Sequence, residues 1–141
     1  MLETILNVSG RSGLYKLVSR SPKLLVVETL DESKKKLPVY PSEQVASLHD
    51  ISIYLNDGKD IPLGKVFENI KTQLDGKEET TINPKQATTD DLKTWFEKML
   101  PDFDRDRVRG GDIKKVILWY NILIKNGITD FYEEEVEEEK I

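Results

Sequence analysis

The spacing of apolar residues changes near Leu63, and this change constrains the fold more than any other feature of the sequence. Before this position, short apolar segments alternate with polar residues or run for about four residues between turn signals. After it, apolar residues recur every three or four positions. Alternation is typical of strands, and the wider spacing is typical of amphipathic helices. The sequence therefore predicts an α+β fold in which the strands precede the helices.

The part of the chain before Leu63 predicts about five short strands. A turn is expected at residues 9–13, and the segments with a strand-like pattern after it are residues 14–19, 24–27, 37–40 and 51–54. Pro38 and Pro41 place the segment 37–40 at a sheet edge or a bulge, because proline donates no backbone hydrogen bond. Strands this short and closely spaced favour a small SH3-like β-barrel or a curled sheet over a sandwich.

Three helices are expected after the strands. The first, residues 63–74, ends at Gly76 and is predicted to cover one opening of the barrel. Thr88 caps a second helix that Pro101 ends, and a third runs from Gly111 to Gly127, so that the two form a helical hairpin. The predicted division is a β unit with its covering helix at 1–76, a polar linker at 77–88, a helical unit at 89–129 and a tail at 130–141.

The formal net charge of −5 is concentrated at one end of the chain. Residues 130–141 hold seven carboxylates and one lysine, whereas the rest of the chain is close to neutral. We expect this acidic tail to be disordered, because like charges repel and little apolar surface is available to bury. Two basic clusters interrupt the neutral part, one of Lys34, Lys35 and Lys36 and one of Arg105, Arg107, Arg109, Lys114 and Lys115.

The residues that usually carry catalysis or bind metals are scarce. The chain has one histidine and no cysteine, and His49 has no nucleophile motif beside it. The segment 102–106 opens like a calcium loop, but Arg107 and Ile113 replace the glycine and the glutamate that such a loop needs. The GxxG string at 10–13 matches a KH-domain loop, yet its flanks have the pattern of strands and favour a plain turn. We expect neither enzymatic activity nor a cofactor.

Several strings in the sequence resemble a family of small Bacteroidetes proteins that carries a domain of unknown function. They include Leu37-Pro38-Val39-Tyr40 and Trp119-Tyr120-Asn121, together with residues 13–19, 27–31, 50–54, 100–108 and 112–115. The resemblance spans nearly the whole chain. It implies an N-terminal SH3-like unit followed by a helical unit, and it implies no established activity or cofactor.

The function predicted from the sequence is a non-catalytic, cytoplasmic protein-binding or adaptor module. A cysteine-free chain without a signal peptide fits the cytoplasm, and no apolar run reaches the roughly 20 residues of a membrane span. The alternative is an RNA-binding protein whose acidic tail is autoinhibitory, and a homo-oligomer is a third hypothesis. The candidate binding residues are Arg11, Tyr15, Lys16, Arg20, Lys34, Lys35, Lys36, Tyr40, Tyr54, Arg105, Arg107, Arg109, Lys114 and Lys115. For the tyrosines the competing interpretation is a core position, and for the lysine run it is a solvated turn.

Overall fold

The computed structural model describes residues 2–132 and has an α+β architecture. Seven short strands come first, a 3-10 helix at Leu48–Asp50 lies between the fifth and the sixth, and three helices follow. The strands are β1 Ile5–Val8, β2 Tyr15–Arg20, β3 Leu25–Thr29, β4 Lys36–Val39, β5 Val45–Ser47, β6 Ser52–Tyr54 and β7 Asp60–Pro62. The helices are α1 Leu63–Gln73, α2 Thr89–Met99 and α3 Gly110–Lys125. None of these helices, all within residues 2–132, is long and apolar enough to cross a membrane.

The first five strands form one antiparallel sheet in the order β4-β3-β2-β1-β5. β4 is an edge strand, as Pro38 predicted, and the register of β2 against β3 shifts between Leu17 and Ser19. Within residues 2–132 the sheet does not close, because β4 and β5 are its two free edges. The barrel alternative is therefore wrong, and the sheet is an open one.

The strand expected at 51–54 is present as β6, but it does not belong to this sheet. It pairs with β7 in a two-stranded hairpin, with Ile53 opposite Ile61. β5 and β7, which have three residues each, were not expected from the sequence. The hairpin leads directly into α1, which packs against the 3-10 helix, β7 and α2 and does not cover a barrel opening.

The helix boundaries agree closely with the sequence pattern. Thr88 caps α2 as predicted: its hydroxyl accepts the amide of Asp91, and the Asp91 carboxylate accepts the amide of Thr88. α3 begins one residue earlier than expected, and Asp112 accepts the amide of Arg109 at 3.0 Å. Gly10 and Gly13 both have positive φ, which is the conformation that the predicted turn requires of glycine.

Most buried side chains belong to one core that all three helices line. Leu2, Ile5 and Leu14 of the N-terminal part and Leu48 of the 3-10 helix also belong to it, so the core extends across the expected boundary at Gly76. A second, smaller cluster lies within the sheet and consists of Leu6, Val8, Tyr15, Val27 and Val39.

The last described residues cross α1 and are packed against it. Phe131 is 3% exposed, and its ring centroid lies 5.4 Å from that of Phe67. A side chain at Gly64 would collide with the carbonyl oxygen of Phe131, so this crossing requires glycine in α1. Of the predicted tail, residues 130–132 are therefore an ordered part of the fold, and residues 133–141 lie outside the described residues.

Candidate functional site

A groove of about 260 Å³ lies between β6 and the N-terminal half of α3, and we call it the Trp119 groove. Because helical positions three and four apart share a face, α3 presents Lys115, Val116 and Trp119 to it together. Its other apolar lining residues are Ile51, Ile53, Leu63 and Val108. The polar and charged lining residues are Asn7, Ser52, Tyr54, Arg107, Asp112 and Lys115.

Tyr54, Arg107, Asp112 and Lys115 are among the exposed lining residues, and the Asp112 carboxylate accepts the amide of Arg109. The Tyr54 side chain is 48% exposed, and the guanidinium carbon of Arg107 lies 4.7 Å from its ring centroid. This stacking orients the guanidinium by a cation–π contact. Neither Arg107 nor Lys115 forms an ion pair with a carboxylate of residues 2–132. Both cations are therefore available to a ligand.

The two tryptophans differ in how their indole N–H groups are used. The Nε1–H of Trp95 donates to the Glu79 carboxylate at 2.8 Å inside the core. Trp119 is 8% exposed, yet its Nε1–H donates to no atom of residues 2–132. None of the solvent-shielded side-chain nitrogens of residues 2–132 lacks a hydrogen-bond partner, so the Trp119 nitrogen keeps some exposure to solvent. The Trp119 side chain lines the groove and adds a large aromatic surface to it.

Two other predicted binding residues are held by partners within the protein. Arg11 makes a two-point ion pair with Glu43, at 2.7 and 3.0 Å, and so joins the β1–β2 turn to the segment before β5. Arg105 pairs with Glu97 and lies 5.3 Å from the ring of Phe103. These contacts favour a structural role for both arginines.

The predicted tyrosines do not form one surface. Tyr15 is buried in the sheet cluster, and its hydroxyl donates to the Ser12 carbonyl at 3.0 Å, which matches the competing interpretation of a core tyrosine. Tyr40, 52% exposed, follows the edge strand β4. Only Tyr54 lies at the groove.

The lysine run forms part of an ordered hairpin turn. The Asp31 carboxylate accepts the amides of Ser33 and Lys34, and Lys34 has a positive φ of 46°. Lys34 lines a wider groove with Lys125 at the C-terminal end of α3. The remaining predicted residues are exposed or half-buried, namely Lys16, Arg20, Lys35, Lys36, Arg109 and Lys114.

The two basic clusters lie at opposite ends of α3. A helix of 16 residues is about 24 Å long. Arg107 and Lys115 are at its N-terminal end, and Lys34 is at its C-terminal end. The structure therefore brings together Tyr54, Arg107 and Lys115 and leaves the lysine run apart.

Glu79, in the segment expected to be a linker, is a buried acid that the sequence analysis missed. Its carboxylate accepts the Trp95 indole N–H and the amide of Thr81, and its backbone exchanges two hydrogen bonds with Asn121. Burial by itself would raise the pKa of Glu79, but the hydrogen bonds from Thr81 and Trp95 outweigh it, and the pKa lies below its ordinary value. The segment is thereby fastened to α2 and α3. Glu79 follows Glu78 in a polar stretch, and nothing in this local sequence distinguishes the buried glutamate from an exposed one.

The residues considered for catalysis and calcium have structural contacts. Ser47 donates its hydroxyl to the Glu3 carbonyl and accepts the amide of His49, whose ring is exposed. The Asp104 carboxylate accepts the amides of Asp106 and Arg107 and so shapes the turn before α3. Among residues 2–132 no three acidic, histidine or cysteine side chains are grouped as a metal site would need.

Comparisons with known proteins match both parts of the chain. Residues 51–123 match the model of the Domain of unknown function (DUF6852), and residues 2–48 match that of the Domain of unknown function (DUF5606). A solution NMR structure of a Bacteroides vulgatus protein is 47% identical, with a TM-score of 0.77 over 98% of this chain and 96% of that chain. No curated protein matches. The resemblance to a Bacteroidetes family of unknown function is confirmed.

Proposed function

The chain belongs to the family of the Domain of unknown function (DUF6852), and from the geometry of the Trp119 groove we propose that it is a non-catalytic module that binds a protein partner. The observation that supports this is the stacking of Arg107 on an exposed Tyr54 in a groove that Trp119 also lines. Tryptophan, tyrosine and arginine are the residues that most often dominate the binding energy of protein interfaces.

The lining of the groove defines the chemistry of the partner. The apolar floor around Val116 and Trp119 suits one large apolar side chain, whose burial would supply most of the affinity. Arg107 and Lys115 suit carboxylates on the residues next to it. The partner segment is thus a short acidic peptide with an apolar anchor.

Three further parts of the proposal concern the setting of the protein. We place it in the cytoplasm, on its cysteine-free composition. We class the five-stranded sheet as SH3-like, and the strand order β4-β3-β2-β1-β5 and the register shift in β2 support this class. A homo-oligomer that uses the same groove is the third part, and crosslinking tests it below.

RNA binding is the second candidate, because an arginine stacked on a tyrosine also offers a platform for a base. The separation of the two basic clusters by the length of α3 weighs against it. A nucleic acid would need cations along a continuous path for its phosphates.

The proposal is tested by site-specific crosslinking in the native cell lysate. Photoreactive benzoylphenylalanine replaces Tyr54 in one variant and the equally exposed Tyr40 in a matched control. We expect a discrete protein adduct from position 54, its loss when Arg107→Ala is added, and no such adduct from position 40. Adducts that vanish with nuclease would favour RNA, an adduct with a second copy would favour the homo-oligomer, and equal adducts at both positions would contradict the proposal.

A further inference from the structure

The direction of the last described residues points to a ligand for the Trp119 groove within the same chain. Lys71 near the end of α1 donates to the carbonyl of Thr129, Glu68 accepts the amide of Phe131, and Gly64 contacts the Phe131 carbonyl. As the residue number rises from 129 to 131, the contacted positions of α1 fall from 71 to 68 and 64. The chain therefore runs antiparallel to α1 and leaves the described structure near the N-terminus of this helix.

That helix end adjoins the groove. Leu63, the first residue of α1, lines the groove, and a Cβ at its neighbour Gly64 would lie 3.3 Å from the Cβ of Tyr132. The first turn of α1 contains no acidic residue, so the positive end of its dipole also favours carboxylates that pass it. At residue 132 the chain has thus reached the end of α1 that contributes Leu63 to the groove.

The sequence that follows has the chemistry proposed for the partner. Residues 133–139 contain six glutamates around a single apolar residue, Val136. Seven extended residues span about 23 Å, which is ample for a segment that starts beside the groove. The lysine run lies beyond the other end of α3, so Arg107 and Lys115 are the nearer basic cluster.

We propose that residues 133–139 bind the Trp119 groove of their own molecule, with carboxylates on Arg107 and Lys115 and Val136 against the apolar floor. The inference rests on the proposed function, because it assigns a regulator to that same groove. A partner must displace the segment, and the effective concentration of a tethered ligand makes it a strong competitor even when its intrinsic affinity is low.

The two tryptophans allow a test in the full-length protein. The wild type is compared with a variant in which all six glutamates of 133–139 are replaced by glutamine, and the indole N–H signals are followed by NMR between low and about 1 M salt, where screening is nearly complete. We expect a salt-dependent shift of the Trp119 signal in the wild type and its loss in the variant. Trp95, bonded to Glu79 in the core, is the internal control and should not move.

The site of docking is tested with a spin label, since the chain has no cysteine. Ile141→Cys carries a nitroxide, and paramagnetic broadening is measured along the chain. We expect broadening at Tyr54, Arg107 and Lys115 and none at Lys34. Broadening centred on Lys34, or none at either cluster, would overturn the inference.

Crosslinking separates the failure of this inference from that of the proposed function. With benzoylphenylalanine at position 54, the protein with the six glutamines should give at least about three times as much partner adduct as the protein with the six glutamates. The reason is that its tethered competitor is weakened. An unchanged amount of adduct together with an unshifted Trp119 signal would refute the binding of residues 133–139 to the groove. It would not contradict the binding of a partner there. No adduct in either form would refute the partner site.

Discussion

The sheet and the helical part differ in how much hydrophobic core each possesses. The cluster inside the five-stranded sheet has five buried residues, whereas the main core takes side chains from every helix, the 3-10 helix and the start of the chain. Five buried side chains stabilise too little to offset the ordering of a 47-residue unit. The sheet therefore depends on the face that Ile5 and Leu14 present to the main core.

The two family models divide the chain between residues 48 and 51, at the 3-10 helix. The hairpin of β6 and β7 lies on the helical side of this division, as does α1. Across the division, Asn126 of α3 donates to the carbonyl of Leu30 in the sheet part at 3.3 Å. The two parts of the chain that match different family models thus share one core.

Phe67→Ala should have the largest effect, because it removes a fully buried ring that packs on Tyr120 and Phe131. We expect a loss of about 3–5 kcal/mol in the free energy of unfolding. Urea titrations followed by tryptophan fluorescence and by far-UV circular dichroism should give coincident midpoints. If the strand signal persisted after the tryptophan signal had changed, the sheet would be stable alone and the comparison would fail.

Glu79→Gln should cost about 1.5–3 kcal/mol, because hydrogen bonds to a charged acceptor are lost and an amide N–H faces the donors of Trp95 or Thr81. The structural change caused by the substitution should be confined to the main core. Urea titration measures the loss, and the Trp95 indole signal in NMR should shift while the Tyr15 signals stay unchanged. A loss below about 0.5 kcal/mol, the size of an ordinary surface effect, would contradict the assigned role.

The Glu79 carboxylate should also make the stability of the protein depend on pH. The pKa of Glu79 in the folded protein lies below the ordinary value of 4.5, so the folded state binds fewer protons than the unfolded state as the pH approaches that range. Its contribution to stability is complete above the ordinary value and is lost as the pH falls through the folded pKa. The wild type should therefore lose more stability than Glu79→Gln between pH 6 and pH 3, roughly the range in which carboxyl groups titrate.

Val27→Ala probes the sheet cluster and should cost about 2 kcal/mol, because two buried methyl groups are removed. Val18→Ala, at a 45% exposed position of β2, is the matched control and should change stability by less than about 0.5 kcal/mol. A single unfolding transition should persist in Val27→Ala. A separate early transition of the sheet would show that its cluster is independent of the main core.

Removal of the ion pair between Arg11 and Glu43 should have the smallest effect on the free energy of unfolding. A double-mutant cycle with Arg11→Gln and Glu43→Gln should give a coupling energy of up to about 1 kcal/mol, since the two side chains are still 28% and 24% exposed and are screened by water and salt. The coupling should fall as the salt concentration rises. A value well above this would mean that the pair holds the sheet edge more strongly than the cluster does.

Features that depend on neighbouring residues were predictable from the sequence. The three helices, the Thr88 cap, the edge position of Pro38 and the positive φ of Gly10 follow from local periodicity, capping and backbone sterics. The lysine run could be placed in a hairpin turn for the same reason. Each of these signals is complete within a few residues of the chain.

Only the tertiary structure decided which distant residues meet. Three such contacts depend on how the helices pack against the 3-10 helix and the sheet. They are the pairing of β6 with β7, the hydrogen bond of Glu79 to Trp95 and the stacking of Arg107 on Tyr54. Such contacts carry no local period, because their partners lie far apart in the sequence. The sequence by itself determined the elements and the chemistry of the candidate residues, and burial of a shared core determined which of those residues form a site.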